Sequence, residues 1–166
     1  MRIVINAGHT KFGTGTGAKG LLTESVETRK IAYELMRLLA DSDHEILPAV
    51  FDRSSNNLKD AVEVANNSHA DLFISIHLNA SGGQGSEAYT FGAKQHPEAV
   101  NALRNLQALG FKNRGVKDGS RLYVVKNTAC KAILFEVCFV DSEIDRRLME
   151  TLGYTQIANA IYQAII

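Results

Sequence analysis

Apolar positions along the chain fall into two rhythms, short unbroken runs and longer stretches repeating every three to four residues. The first run, residues 2–6, predicts a strand. A loop carrying Gly8, Gly13, Gly15, Gly17 and Gly20 follows. Thr23 can then cap a helix whose Ile31, Ala32, Leu35, Leu38 and Leu39 share a face, ending near Asp41. Residues 44–51 predict a second strand, and Pro48 moves it toward a sheet edge because proline cannot donate to a ladder. Leu58, Ala61, Val62 and Ala65 mark a second helix, and residues 71–77 are apolar enough for a central strand. Gly82, Gly83 and Gly85 turn the chain into a strand at 86–91, and Pro97 suits the first turn of a helix bearing Val100, Leu103 and Leu106. Residues 122–125 and 131–137 predict two more strands. Asp141 can cap a short helix with Ile144 and Leu148, and Tyr154, Ile157, Ala158, Ile161 and Ile165 define a last one. Six strands separated by helices predict one α/β domain over residues 1–166, of three layers. Its sheet, mostly parallel or mixed, should carry helices on both faces.

Composition narrows the classes. Lys and Arg number 18 against 18 Asp and Glu, so no basic field argues for nucleic acid as a partner. The 45% hydrophobic content excludes a disordered chain. The longest apolar stretch, residues 132–140, is interrupted by Glu136 and falls far short of the roughly 20 residues that span a bilayer, so membrane insertion is not expected. Only Ile3, Val4 and Ile5 stand between Arg2 and Asn6, too few for a signal-peptide core. Synthesis in the cytoplasm is therefore expected, either of this chain or of a longer protein containing it. Cys130 and Cys138 are too few for a disulfide scaffold. At ~3.3 Å per residue they would lie about 26 Å apart along one strand, out of bonding range, and they read as two reduced thiols.

Polar residues inside buried runs carry the chemical information, because an unpaired buried charge is costly. His77 ends the third strand, at the edge where open α/β sheets bind ligands. Glu136 interrupts the last apolar run, where it needs a cation, a metal or a raised pKa; a structural ion pair would equally satisfy it. His9 lies just past the first strand, and Gly8 lets the backbone turn sharply before it. With strands one and three parallel, His9 and His77 emerge at one edge, where Glu24 also opens a helix. Two histidines and one carboxylate make the ligand set of catalytic zinc sites. Separations of 15 and 53 residues match no compact zinc signature, and a lone His at a strand end is more often a satisfied polar residue, so that reading stays open. The glycine loop fits nucleotide binding poorly. Its Gly15-Thr16-Gly17-Ala18-Lys19-Gly20 begins nine residues after Asn6, and Gly20 stands where a P-loop needs Ser or Thr.

Four separated motifs together resemble a known family. Ala7-Gly8-His9, Thr23-Glu24, Ser75-Ile76-His77-Leu78-Asn79-Ala80 and Leu134-Phe135-Glu136-Val137-Cys138-Phe139-Val140 occur in the order and context of the zinc-dependent N-acetylmuramoyl-L-alanine amidases. Ala65-Asn66 and Asn113-Arg114-Gly115-Val116-Lys117 extend the match over nearly the whole chain. The wording around Glu136 looks most like catalytic domains of phage endolysins and related wall hydrolases of Gram-positive bacteria.

The resemblance implies that His9, Glu24 and His77 bind one Zn2+ and that Glu136 is the catalytic glutamate. It also selects Glu24 over Glu27. Peptidoglycan is the implied substrate, cut at the amide between the lactyl group of N-acetylmuramic acid and L-alanine, and the bacterial cell wall is the implied place of action. A monomer is expected, with any C-terminal wall-binding module lying outside this chain. Two departures stand out. Asn6 replaces the usual Asp, which would alter the surroundings of His9, and Cys138 replaces a frequent Gly, near the site if Leu134, Glu136 and Cys138 share a strand face. Only 18 residues separate His77 from His96, too few for the helical plug of some relatives, so an open groove active without an activator is expected. His44, His69 and His96 read as surface or capping residues. Lys112, Arg114, Lys117 and Arg121 read as a solvated loop, or as a cluster that meets carboxylates of a stem peptide. Two rival functions are a zinc carboxypeptidase acting within that peptide and a wall-binding domain without catalysis.

Overall fold

In the computed structural model, which describes residues 1–166, one six-stranded sheet runs through the molecule with helices on both faces. The elements in chain order are β1 (Arg2–Ala7), α1 (Glu24–Leu39), β2 (Glu45–Ala49), α2 (Asn57–Asn67), β3 (Leu72–Asn79) and β4 (Ser86–Thr90). They continue with α3 (Pro97–Ala108), β5 (Asn113–Asp118), α4 (Tyr123–Asn127), β6 (Lys131–Phe139) and α5 (Glu143–Tyr162). Strand order is β2-β1-β3-β6-β4-β5. The first four are parallel, β4 runs antiparallel to β6, and β5 is parallel to β4. This reversal brings the starts of β4 and β5 to the edge where β1, β3 and β6 end.

Alternation within the strands divides the core. Ile3, Ile5, Ile74, Ile76, Ile133 and Phe135 pack toward α1, α3 and α5, with Ile31, Leu35, Leu103 and Ile157. Val4, Phe73, Ala132 and Leu134 face the other way, onto Ala61, Val62 and Ala65 of α2 and Val124 and Val125 of α4. β2 takes an edge, as Pro48 requires.

Three expectations need correction. Residues 122–125 are not a strand: Leu122 precedes α4, whose Val124 and Val125 fill the space beside α2. Four apolar residues in a row fit one buried helical turn as well as a strand. The sixth strand is instead β5, where Val116 is the one large apolar residue and the remaining positions are polar or Gly115, so no alternation betrays it. The cap of α5 is Ser142, which accepts the amide of Asp145 at 3.2 Å, whereas Asp141 accepts the amides of Ser81 and Gly82. α5 is itself two helical segments that meet at Gly153 (φ 72°, ψ 166°), a break that an L side chain would resist. Nor do Leu134 and Cys138 share a face. A register shift between the His77 and Asn79 pairs turns Cys138 into the core beside Phe135 and Val137. Both cysteines are free. No helix is long and apolar enough to cross a membrane.

Candidate active site

His9, Glu24 and His77 converge where β1 and β3 end, with one potential ligand atom from each lying within 4.8 Å of the others. A single Glu24 oxygen, Oε1, is 3.1 Å from His9 Nε2 and 3.1 Å from His77 Nδ1. The two rings meet edge to face, with centroids 5.0 Å apart. Glu24 and His77 are buried, with side chains 4% and 9% exposed, while His9 at 28% opens to solvent.

Backbone and helix contacts hold these side chains in place. His9 adopts φ 67°, a left-handed conformation that costs energy for any residue with a Cβ. Two residues of α1 hold it there. Thr28 donates to the Gly8 carbonyl at 3.1 Å, and Arg29 donates to the carbonyls of His9, Phe51 and Ser25. His9 Nδ1 donates to the Gly15 carbonyl at 3.2 Å, which leaves Nε2 as the nitrogen facing Glu24. Glu24 accepts from the amides of Leu78 (3.1 Å) and Ala18 (2.8 Å), which fixes both of its oxygens. Glycine makes the approach feasible. A Cβ on Gly8 would lie 2.4–2.6 Å from atoms of the His77 ring, and one on Gly17 2.6 Å from Glu24 Oε2.

Electrostatics agree with a cation site. Burial opposes ionisation of Glu24, but hydrogen bonds from His77 and His9 overcome it and hold the carboxyl well below its usual range. Burial likewise opposes protonation of His9, yet Glu24 and the Gly15 carbonyl leave its pKa raised. One carboxylate and two imidazoles directed at a common point form the donor set of a catalytic zinc centre. His77 Nε2 and Glu136 Oε2 are both buried without a hydrogen-bond partner. Orphaned buried polar atoms are rare, and a pair of them beside a convergent ligand set fits a bound ion and its substrate. The residues present therefore fit zinc.

Glu136 stands next to His77 in the β3–β6 register and opposite Glu87 of β4. It makes no ion pair, so the structural reading of this residue falls away. Burial, together with the charges of Glu24 and Glu87, pushes its pKa up to about 8. Glu27 is elsewhere, accepting the Tyr154 hydroxyl at 2.7 Å. Asn6 does not touch the His9 ring. It binds the Ala49 carbonyl and accepts from Ser75 at 2.7 Å, so the exchange for Asp alters a link between strands. His44 lies by the N-terminus, His69 follows α2, and His96 precedes α3.

Two features lay beyond sequence reading. Arg29 sits in a helix as one of many charged residues, and nothing in its spacing marks it as the clamp on His9. Arg114 and Lys117 are not in a solvated loop but on β5, both bonded to the buried Glu87 (2.6 and 2.5 Å). The Glu87–Arg–Lys grouping spans 30 residues and leaves no local signal.

A family model described as N-acetylmuramoyl-L-alanine amidase matches residues 3–166. An uncharacterised Clostridium perfringens protein is 32% identical over 176 residues, covering 99% of this chain and 51% of that protein. The sporulation-specific N-acetylmuramoyl-L-alanine amidase of Bacillus subtilis is 31% identical over 169 residues, 94% of this chain and 63% of that one. The chain thus spans about half to two thirds of the length of these curated relatives. The solved catalytic domain of the CD27L endolysin, which targets Clostridia difficile, superimposes with a TM-score of 0.89 at 29% identity. That match covers 99% of this chain and 96% of the domain.

Proposed function

The chain belongs to the N-acetylmuramoyl-L-alanine amidase family, and on that premise we propose that it is a zinc-dependent hydrolase of the bacterial cell wall. It would cleave the amide between the lactyl group of N-acetylmuramic acid and L-alanine. One observation carries the reading: His9, Glu24 and His77 converge on a point beside the half-buried Glu136, whose buried Oε2 has no partner.

His9, Glu24 and His77 would hold the zinc, leaving a coordination position open. When bound, the metal would supply a Lewis acid and lower the pKa of a water toward about 7. The chain's own residues do the rest. Glu24, tied by two amides, keeps both imidazoles oriented. Glu136 accepts a proton from the attacking water and passes it to the alanine nitrogen as the carbon–nitrogen bond breaks. A neighbouring divalent charge would favour the carboxylate needed for the first transfer, and its otherwise high pKa suits it to the second. The β3–β4 connection, residues 80–85, contains no helix that could plug the site, which supports action without an activator.

Mass analysis of digested walls tests the proposal. Peptides beginning at L-alanine and intact glycan strands are expected, lost on chelation and recovered with zinc. Release of C-terminal amino acids alone would support a carboxypeptidase instead, and no release would leave only wall binding.

A further inference from the structure

Glu87 is nearly inaccessible, its side chain 2% exposed, yet it carries four side-chain donors: Arg114 Nε, Lys117 Nζ, Asn79 Nδ2 and the Tyr89 hydroxyl. Burial opposes its ionisation, but the bonds from Lys117 and Arg114 dominate and lower its pKa. One anion thus anchors two cations and leaves the group with a surplus positive charge. The cations themselves are half open, at 29% for Arg114 and 35% for Lys117. Arg114 is fixed twice, by its Nε bond to Glu87 and by the Phe139 ring 5.0 Å from its guanidinium carbon. Its two terminal nitrogens bond to nothing in the protein. A guanidinium held through Nε with its outer fork free is a ready receptor for a carboxylate.

Position links this receptor to the reaction. Glu87 lies opposite Glu136, and β5 is the strand beyond. Two strand spacings put β5 roughly 10 Å from β6. In an extended peptide the residue after the alanine lies about 7 Å from the cut bond, and the Arg114 side chain leans back toward β4, closing the difference. We propose that Arg114, supported by Lys117 and positioned by Glu87, binds a free carboxylate on the second residue of the leaving peptide, and so selects substrates by that group. This subsite rests on the amidase reading for its substrate, but its binding can be measured without turnover.

The test uses the whole chain with zinc and two peptides, L-alanyl-D-glutamate with its γ-carboxyl capped as an amide, and the same peptide with its α-carboxylate converted to carboxamide as well. Calorimetry should show the wild type binding the carboxylate form about tenfold more tightly, the scale of one charge-assisted bond. Arg114→Gln, checked for an unchanged circular dichroism spectrum, should reduce that ratio to about twofold or less. Should this variant fail to fold, Arg114→Lys, which keeps the charge and loses the fork, carries the same criterion. Equal binding of both peptides by the wild type overturns the proposal, and so does a ratio untouched by the folded variant. Failure of the amidase reading would appear separately, as absence of alanyl peptides in wall digests with the binding ratio intact.

Discussion

At Glu136, burial and two negative neighbours push in one direction, and the residue has no partner to oppose them. In the metal-free protein its pKa of about 8 exceeds the ordinary 4.5. Below pH 4.5 the folded and unfolded chains both keep the proton. As pH rises from there toward 8, the unfolded chain releases a proton that the folded one retains, so stability falls. His9, also raised, adds a loss in the same direction above its ordinary 6.5. Urea unfolding of chelated protein at pH 5 and pH 8 should therefore show a steeper decline for the wild type than for Glu136→Gln, by a few kcal/mol at ~1.4 kcal/mol per unit. The same variant should keep about one zinc per chain and lose roughly 10²–10⁴ in turnover, measured by metal analysis and wall-turbidity assays. His77 was legible in the sequence because it closes an apolar run at a strand's end, and Glu136 because it interrupts one from within. Glu24 was singled out from Glu27 only through the family motif, since both sit in the first turn of one helix. Glu87 gave no sign at all, because a glutamate in a half-polar strand looks solvent-facing until its cations are known.

At the scale of elements, hydrophobic rhythm located what is buried on a repeating face and missed what is not. α1, β3 and β6 each have enough apolar positions to declare their period. β5 has a single large one, and α4 is too short to show a period. The β1-to-loop junction decides whether the site can assemble. Gly8→Ala would drive a methyl group into the His77 ring, whose atoms lie 2.4–2.6 Å from the added carbon. The ring must shift, and zinc affinity should drop at least as far as the 10–100-fold typical of disturbed orienting contacts. Competition with a chromogenic chelator would measure it, and thermal unfolding of the metal-free variant would confirm that the fold survives.

For the whole molecule, zinc would join α1 to the ends of β1 and β3, so metal binding should register as global stability. At a hundredfold excess over Kd the gain is about 2.7 kcal/mol, or roughly 5–10 °C in Tm for a domain of this size. Scanning calorimetry should show that rise for the wild type and none for Glu24→Ala. The reversal of β4 and β5 gives the groove two walls that differ in how readily they can change. On the His9 side the site is bordered by residues 11–15, exposed, with open space around Gly13. On the opposite side the turn into β4 is tied by Asp141 and Asp145 through the amides of Ser81, Gly82 and Gly85. A Cβ on Gly85 would lie 2.0 Å from the Lys112 carbonyl, so that turn has no room to grow. Lengthening the chain after Gly13 should leave a folded protein with an altered rim, whereas the same insertion after Gly83 should unfold the β4–β5 half. One wall of the groove is thus free to be rewritten for new surfaces, and the other holds its shape.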